Sequence, residues 1–167
     1  MKAVIDALLA GEVVAIPTDT VYGLVTVLDR AERLFEVKQR PADVDLPVLC
    51  ADRAQAQSLA ADPLPDLAVQ WPGALTLVVR RAPSLTADLG AHADTVGLRV
   101  PDHPVPRELA RRVGPLASTS ANLHGKPPAT TATEITLDVM VVDGGVCNGK
   151  PSTVIDCTGP EPRVLRG

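Results

Sequence analysis

The apolar residues of this chain arrive in short runs, at 12–16, 21–28, 46–51, 75–79 and 95–100, each closed by a proline, an aspartate or an arginine. Runs of this length suit buried strands and are too short for the helices of a bundle. Between them the spacing changes to that of helices. Val4, Ile5, Leu8 and Leu9 share one helical face, with Gly11 as a C-cap. Ala31, Leu34, Phe35 and Lys38 form a second such face, with Asp29 as a candidate N-cap and Pro41 as its stop. An alanine-rich stretch at 52–61 and a segment at 106–113 read as two more helices, and further strands are expected at 115–118, 138–142, 153–156 and 163–165. Helices and strands alternate without repeats, low-complexity tracts or a long linker. The expected fold class is therefore α/β, one domain over residues 1–167 with a single mixed sheet.

The length of 167 residues fits one domain, which at this size buries roughly 68–70% of its unfolded surface. Hydrophobic residues make up 46% of the chain, yet Tyr22, Phe35 and Trp71 are its only aromatics, so the core must be filled by Val, Leu, Ile and Ala. A net charge of −4 argues against a protein that holds nucleic acid through bulk positive charge, and any contact with phosphate must be local. Cys50, Cys147 and Cys157 are odd in number and lack C-x-x-C spacing, which disfavours a disulfide framework or a zinc site. Small apolar fillers are the simpler assignment. No secretory signal opens the chain, and no apolar run approaches the ~18 residues that cross a membrane. A cytoplasmic protein without a membrane partner is expected.

Chemistry concentrates in four places. The loop Pro17-Thr18-Asp19-Thr20-Val21-Tyr22 joins two apolar runs with hydroxyls where an ordinary turn would use Gly, Asn or Asp, and it reads equally as a hydroxyl-closed hairpin. Lys38 and Arg40 stand two apart at a helix end, a point charge beside a planar fork. Arg99 interrupts an apolar strand, so it needs an acidic partner or a bound carboxylate or phosphate. Ser118, Thr119, Ser120 and Asn122 follow the strand residues Pro115 to Ala117 and could cradle an anion or a ribose. No P-loop, G-x-S-x-G elbow, H-E-x-x-H helix or convincing carboxylate pair is present. His92, His103 and His124 fall in loops and read as solvated side chains rather than catalytic bases.

With these residues in view, the chain resembles the YrdC/TsaC family of threonylcarbamoyl-AMP synthases, whose signature pairs K-x-R with S-x-N. The matching stretches are PTDTVYGL at 17–24, KQRP at 38–41, WPGALTLV at 71–78, GLRVPDHP at 97–104, STSAN at 118–122, PSTVID at 151–156 and RVLRG at 163–167. They keep the family's order and span nearly the whole chain. The resemblance implies a YrdC-like twisted mixed sheet with flanking helices and a concave ligand-binding surface. It also implies a nucleotidyltransferase that condenses L-threonine, bicarbonate or CO2, and ATP into threonylcarbamoyl-adenylate, releasing pyrophosphate, with Mg2+ accompanying the ATP. The product would serve N6-threonylcarbamoyladenosine formation in tRNA through downstream transfer proteins, and direct contact with tRNA or double-stranded RNA is left open.

Carried over by position, the resemblance implies L-threonine contacts at Thr18, Arg99, Ser120 and Ser152. It implies ATP contacts at Lys38, Arg40, Thr95, Asn122, Thr130 and Arg166, with Lys38 and Arg40 as the catalytic pair. No metal-binding side chain follows from it. The chain departs from the common R-P-x-x-N-P-L form at Val44 and Asp45, and Leu49 stands near a position where the family often has histidine. His124 replaces a common serine, the stretch at 133–138 is short, and the chain ends soon after Arg166, which implies no extra C-terminal domain. Two other functions share parts of this pattern: a carbamoyl-adenylate former of the hydrogenase-maturation type, and a non-catalytic RNA-binding module. The first normally belongs to a much longer protein, and the second lacks aromatic stacking platforms here.

Overall fold

The structure, a computed structural model, describes residues 1–39, 44–123 and 125–167. Arg40, Pro41 and His124, on which three of the expectations above fall, lie outside the described residues.

The chain opens with helix α1 (Lys2–Leu9), which turns Val4, Ala7 and Leu8 inward. Its end is a Schellman motif: Gly11 N–H donates to Leu8 O at 2.9 Å and Glu12 N–H to Ala7 O at 3.0 Å. Gly11 at φ +81 supplies the left-handed residue that this closure requires. Strand β1 (Val14–Ile16) and strand β2 (Gly23–Val27) follow as an antiparallel pair around the hydroxyl-rich loop. A 3-10 turn at Leu28–Arg30 leads into α2 (Glu32–Lys38). Asp29 therefore sits inside that turn, and the N-cap is Ala31, with no side-chain cap. The sequence placed the cap two residues early because a 3-10 entry carries the same aspartate preference as a cap. Helix α2 ends at Lys38 with Gln39 in the left-handed region (φ 51), so the stop precedes Pro41.

The next elements are short. Strand β3 (Val48–Leu49) keeps only two residues of the run expected at 46–51, and α3 (Arg53–Gln57) is half the length expected for 52–61. Asp52 caps α3 by accepting from Gln55 N at 2.8 Å. Strands β4 (Leu75–Arg80) and β5 (Thr95–Arg99) pair antiparallel, and α4 (Pro104–Val113) begins with Pro104 in its first turn. Strand β6 (Leu116–Ser120) is longer than the sequence suggested, because its pairing with β2 continues to Gly23↔Ser120. The hydroxyl cluster Ser118 to Ser120 is consequently part of the strand instead of the loop after it. Strands β7 (Met140–Val141), β8 (Thr153–Asp156) and β9 (Arg163–Arg166) complete the chain.

Among the described residues nine strands join in one mixed sheet, ordered β7-β1-β2-β6-β3-β5-β4-β8-β9. Alternation along the central strands sends side chains to two cores. Ala15, Leu24, Val48, Leu77, Leu98 and Ala117 pack in one, and Val14, Ile16, Val25, Leu49 and Leu116 in the other with Leu8 of α1 and Leu109 of α4. Both faces of the centre are thus buried, which is why β1 and β2 read as continuous apolar runs. The few aromatics serve as anchors: Trp71 is buried and donates to Leu75 O at 2.7 Å. Cys50, Cys147 and Cys157 are free, the first two buried, and burial pushes the Cys50 thiol up to about 12. No helix among the described residues is long and apolar enough to cross a membrane.

Candidate active site

The β1–β2 loop is tied by its own hydroxyls. Thr18 Oγ1 donates to Val21 O at 2.7 Å and accepts from Thr20 N at 3.1 Å, and the Thr18 and Thr20 hydroxyls lie 3.0 Å apart. This is a hydroxyl-closed turn, and both threonines also face a cleft. That cleft has a volume of about 400 Å3 and is walled by β2, β4, β5, β6 and the segments before β3 and β8. The hydroxyl-closed hairpin is the local structure, and a hydroxyl that accepts from the backbone can still present an oxygen outward.

At one end of the cleft lies Arg99, the last residue of β5, with 7% of its surface exposed. Its guanidinium is held from three sides: Nη2 pairs with Asp19 Oδ1, Nη1 donates to Thr20 Oγ1 at 3.1 Å and Nε to Gly73 O at 3.3 Å. Burial draws the Arg99 pKa down, opposed by the Asp19 carboxylate, and nearby Arg166 adds to the downward pull. The group remains a cation, as arginine does in proteins. The sequence required a partner for this arginine and left open which. Asp19 is that partner, and its place between two cleft threonines was the available signal.

Next to Arg99 stands a smaller group. Ser152 Oγ meets Thr76 Oγ1 at 2.9 Å and accepts from Arg166 Nη2 at 3.1 Å, while Arg166 Nε donates to Ser152 O at 2.9 Å. Ser152 was expected on an amino acid and Arg166 on a nucleotide, and the structure bonds them directly, so the two expected subsites adjoin here. Thr76 was not anticipated, although a lone threonine within Leu75-Thr76-Leu77 marks a buried polar position. Arg81 was also missed. It lines the cleft and braces the following loop by donating to Ala87 O at 2.6 Å, Thr95 O at 3.1 Å and His92 O at 3.5 Å.

The two polar clusters that lie about eighty residues apart in sequence do meet. Lys38, 5% exposed, donates through Nζ to Ser120 O at 2.8 Å and lies 3.4 Å from Asn122 Oδ1. The end of α2 is thereby fastened to the end of β6. Asn122 Nδ2 in turn donates to Lys126 O at 2.7 Å and Leu123 O at 3.2 Å, closing the turn after β6. Of the expected contact residues, Thr18, Thr95, Arg99, Ser120, Ser152 and Arg166 line the main cleft. Asn122 lines a neighbouring hollow with Lys126, Glu134 and Leu137, and Pro128 belongs to both spaces. Thr130 is engaged with Glu134 Oε2 through N at 2.6 Å and Oγ1 at 3.1 Å, which holds that carboxyl below its ordinary range.

The positions where the chain departs from the common pattern also form part of the wall. Val44, Asp45, Leu46 and Leu49 line the cleft, and Asp45 accepts from His92 N at 3.0 Å with His92 Nδ1 2.5 Å from its other oxygen. Tyr22 does not face the cleft. Its buried hydroxyl accepts from Gly144 N at 3.1 Å and donates to Gly145 O at 2.8 Å, and burial pushes its pKa up. Of the histidines, His92 is exposed as expected, whereas His103 is half-buried and caps α4 by accepting from Val105 N at 3.1 Å.

This arrangement has counterparts. The family model of the Sua5/YciO/YrdC proteins, described as "Telomere recombination", matches residues 6–167. The chain belongs to the Sua5/YciO/YrdC family. The threonylcarbamoyl-AMP synthase of Bacillus subtilis is 41% identical over 93% of this chain and 49% of its own length. Pyrococcus abyssi Sua5, solved in complex with L-threonine, superposes with a TM-score of 0.89 at 34% identity over 99% of this chain and 53% of that one. Escherichia coli YciO superposes with a TM-score of 0.86 at 26% identity, covering 98% of this chain and 86% of the other. The chain thus spans about half the length of the Bacillus and Pyrococcus relatives and most of YciO. The mixed sheet with flanking helices expected from the resemblance is the Sua5/YciO/YrdC architecture.

Proposed function

We propose that this chain is an L-threonylcarbamoyladenylate synthase, a nucleotidyltransferase that condenses L-threonine, CO2 or bicarbonate, and ATP, with release of pyrophosphate. The observation that carries the proposal is the buried Arg99 at one end of a hydroxyl-lined cleft, with Arg166 beside it. A desolvated arginine with N–H groups left over from its internal bonds suits an amino-acid carboxylate, and hydroxyls at Thr18, Ser120 and Ser152 suit the polar end of threonine. Arg166, Thr95, Asn122 and Thr130, together with Lys38 and Arg40, are assigned to the nucleotide. The Bacillus relative bears the name of this activity, and the Pyrococcus relative was solved with L-threonine bound.

No covalent nucleophile is required. Threonine docked as a zwitterion gives up its ammonium proton, and the neutral amine then forms its bond to the carbon of CO2 and loses a second proton to leave a carbamate. A carbamate oxygen then attacks the α-phosphorus, and the bond to the pyrophosphate oxygen breaks. The protein's part is to align the reactants and to offset charge as it moves onto the leaving phosphates. Mg2+ fits as a companion of the nucleotide. When bound, the ion would neutralise phosphate charge on the nucleotide. The product would pass in the cytoplasm to transfer proteins acting on tRNA.

The test is a pyrophosphate-release assay of the pure chain with ATP, Mg2+, bicarbonate and one amino acid at a time. Release that depends on both threonine and bicarbonate is expected. Release indifferent to either one overturns the proposal.

A further inference from the structure

We propose that Asp19 is a positioning residue for the amino-acid substrate: it fixes the Arg99 fork and sets the charge of that end of the cleft, so that the site favours a zwitterionic amino acid over a simple anion. The inference rests on the function proposed above and concerns the same cleft.

Asp19 does not line the cleft, but its neighbours Thr18 and Thr20 do, and its side chain is 15% exposed. It pairs with the outer nitrogen Nη2, while Thr20 takes Nη1 and Gly73 O takes Nε. The three acceptors come from two loops far apart in sequence, and together they leave the planar guanidinium one orientation. Three of its five N–H groups are engaged in these bonds, so two remain for a ligand. A fork held this way pays little entropy when a carboxylate docks.

The pair has a second consequence. An unpaired Arg99 beside Arg166 would present an intensely positive end, suited to any small anion, including free phosphate. With Asp19 bound to it, the net charge of the pair is near zero. The carboxylate of an amino acid then finds donors on Arg99, in an end of the cleft whose positive charge is too far offset to repel its ammonium group strongly. His103 lies near enough to Asp19 to feel its charge, and it sits at the start of α4 just beyond Arg99 in the chain. Buried partners of this kind contribute orientation more than net stability.

The experiment compares wild type with Asp19→Asn and Asp19→Glu, using the full chain, in steady-state pyrophosphate release and in calorimetric titration with L-threonine and with inorganic phosphate. Asp19→Asn should raise KM for threonine by about tenfold or more, the scale of a lost charged hydrogen bond, with KM for ATP changed by less than about twofold. The same variant should bind inorganic phosphate more tightly than wild type does. Asp19→Glu keeps the charge but shifts the fork, and should weaken threonine binding without the gain in phosphate binding. If Asp19→Asn fails to fold, Asp19→Glu carries the decision. Unchanged threonine KM in both folded variants, or a parallel rise in both KM values, overturns the proposal. Wild type that binds threonine but releases no pyrophosphate refutes the proposed activity and leaves the positioning role to be judged by titration alone. Wild type that binds no threonine overturns both.

Discussion

Two buried cations, Arg99 and Lys38, belong to this region of the molecule, and their described bonds do different things. Arg99 is compensated by a carboxylate, and it keeps part of its guanidinium toward the cleft. Lys38, equally buried, reaches a backbone carbonyl and an amide oxygen, and it fastens α2 to β6. The same sequence property, a basic residue in apolar surroundings, thus puts an oriented guanidinium beside the cleft in one place and a tie between two elements in the other. The bonds described for Arg99 orient a fork beside the cleft, and those described for Lys38 tie two elements together. A buried charge costs several kcal/mol unless it is paired or solvated by oriented dipoles.

The comparison breaks most easily at Arg99. Arg99→Met leaves Asp19 without its cation and should lower stability by about 3 kcal/mol in urea unfolding, with threonine-dependent pyrophosphate release reduced by more than about a hundredfold. Lys38→Met tests the brace. It leaves the Ser120 carbonyl and the Asn122 amide without this donor and should cost about 1–3 kcal/mol by the same measurement, while threonine KM moves less than it does at Arg99. Equal effects of the two variants on threonine KM would erase the distinction drawn here.

A third substitution probes the wall that both ends share. Gly90 has φ +126, and a Cβ there would lie 2.4 Å from Val44 O, so Gly90→Ala should cost about 1–3 kcal/mol and displace the Val44 side of the cleft. Thermal melting and ATP KM together would show it. The smallest effect concerns His103. Its pKa is lowered by burial, against the pull of Asp19 and Asp102, so the unfolded chain binds a proton at a pH where the folded one does not. Stability should therefore fall as pH drops through about 6.5, the ordinary histidine value, and keep falling until the folded ring also protonates. His103→Asn keeps a capping side chain and should flatten that step in a pH series of melting midpoints.

Much of this molecule follows from local sequence. The strand at Thr153–Asp156 and the C-terminal glycine of α1 were legible because a short β-branched run and a helix cap are properties of a few neighbouring residues. The chemical clusters were legible too, since hydroxyls and cations in apolar runs need partners. The errors have a common cause. Strand β6 extends through Ser118 to Ser120 because β2 pairs alongside it, and β3 keeps two residues because its neighbours β5 and β6 overlap it only there. Neither limit is written in the strand itself.

The sequence by itself determined the class of fold, the elements and the kinds of side chain that would have to be paired. Tertiary structure decided the partners: Asp19 for Arg99, Ser120 for Lys38, Thr76 for Ser152, each separated by 76 to 82 residues. Capping, turn and alternation preferences act within a few residues and leave their mark on the local sequence. Which distant oxygen meets a buried cation depends on the order of nine strands, and that order is fixed only when both faces of the sheet are buried at once.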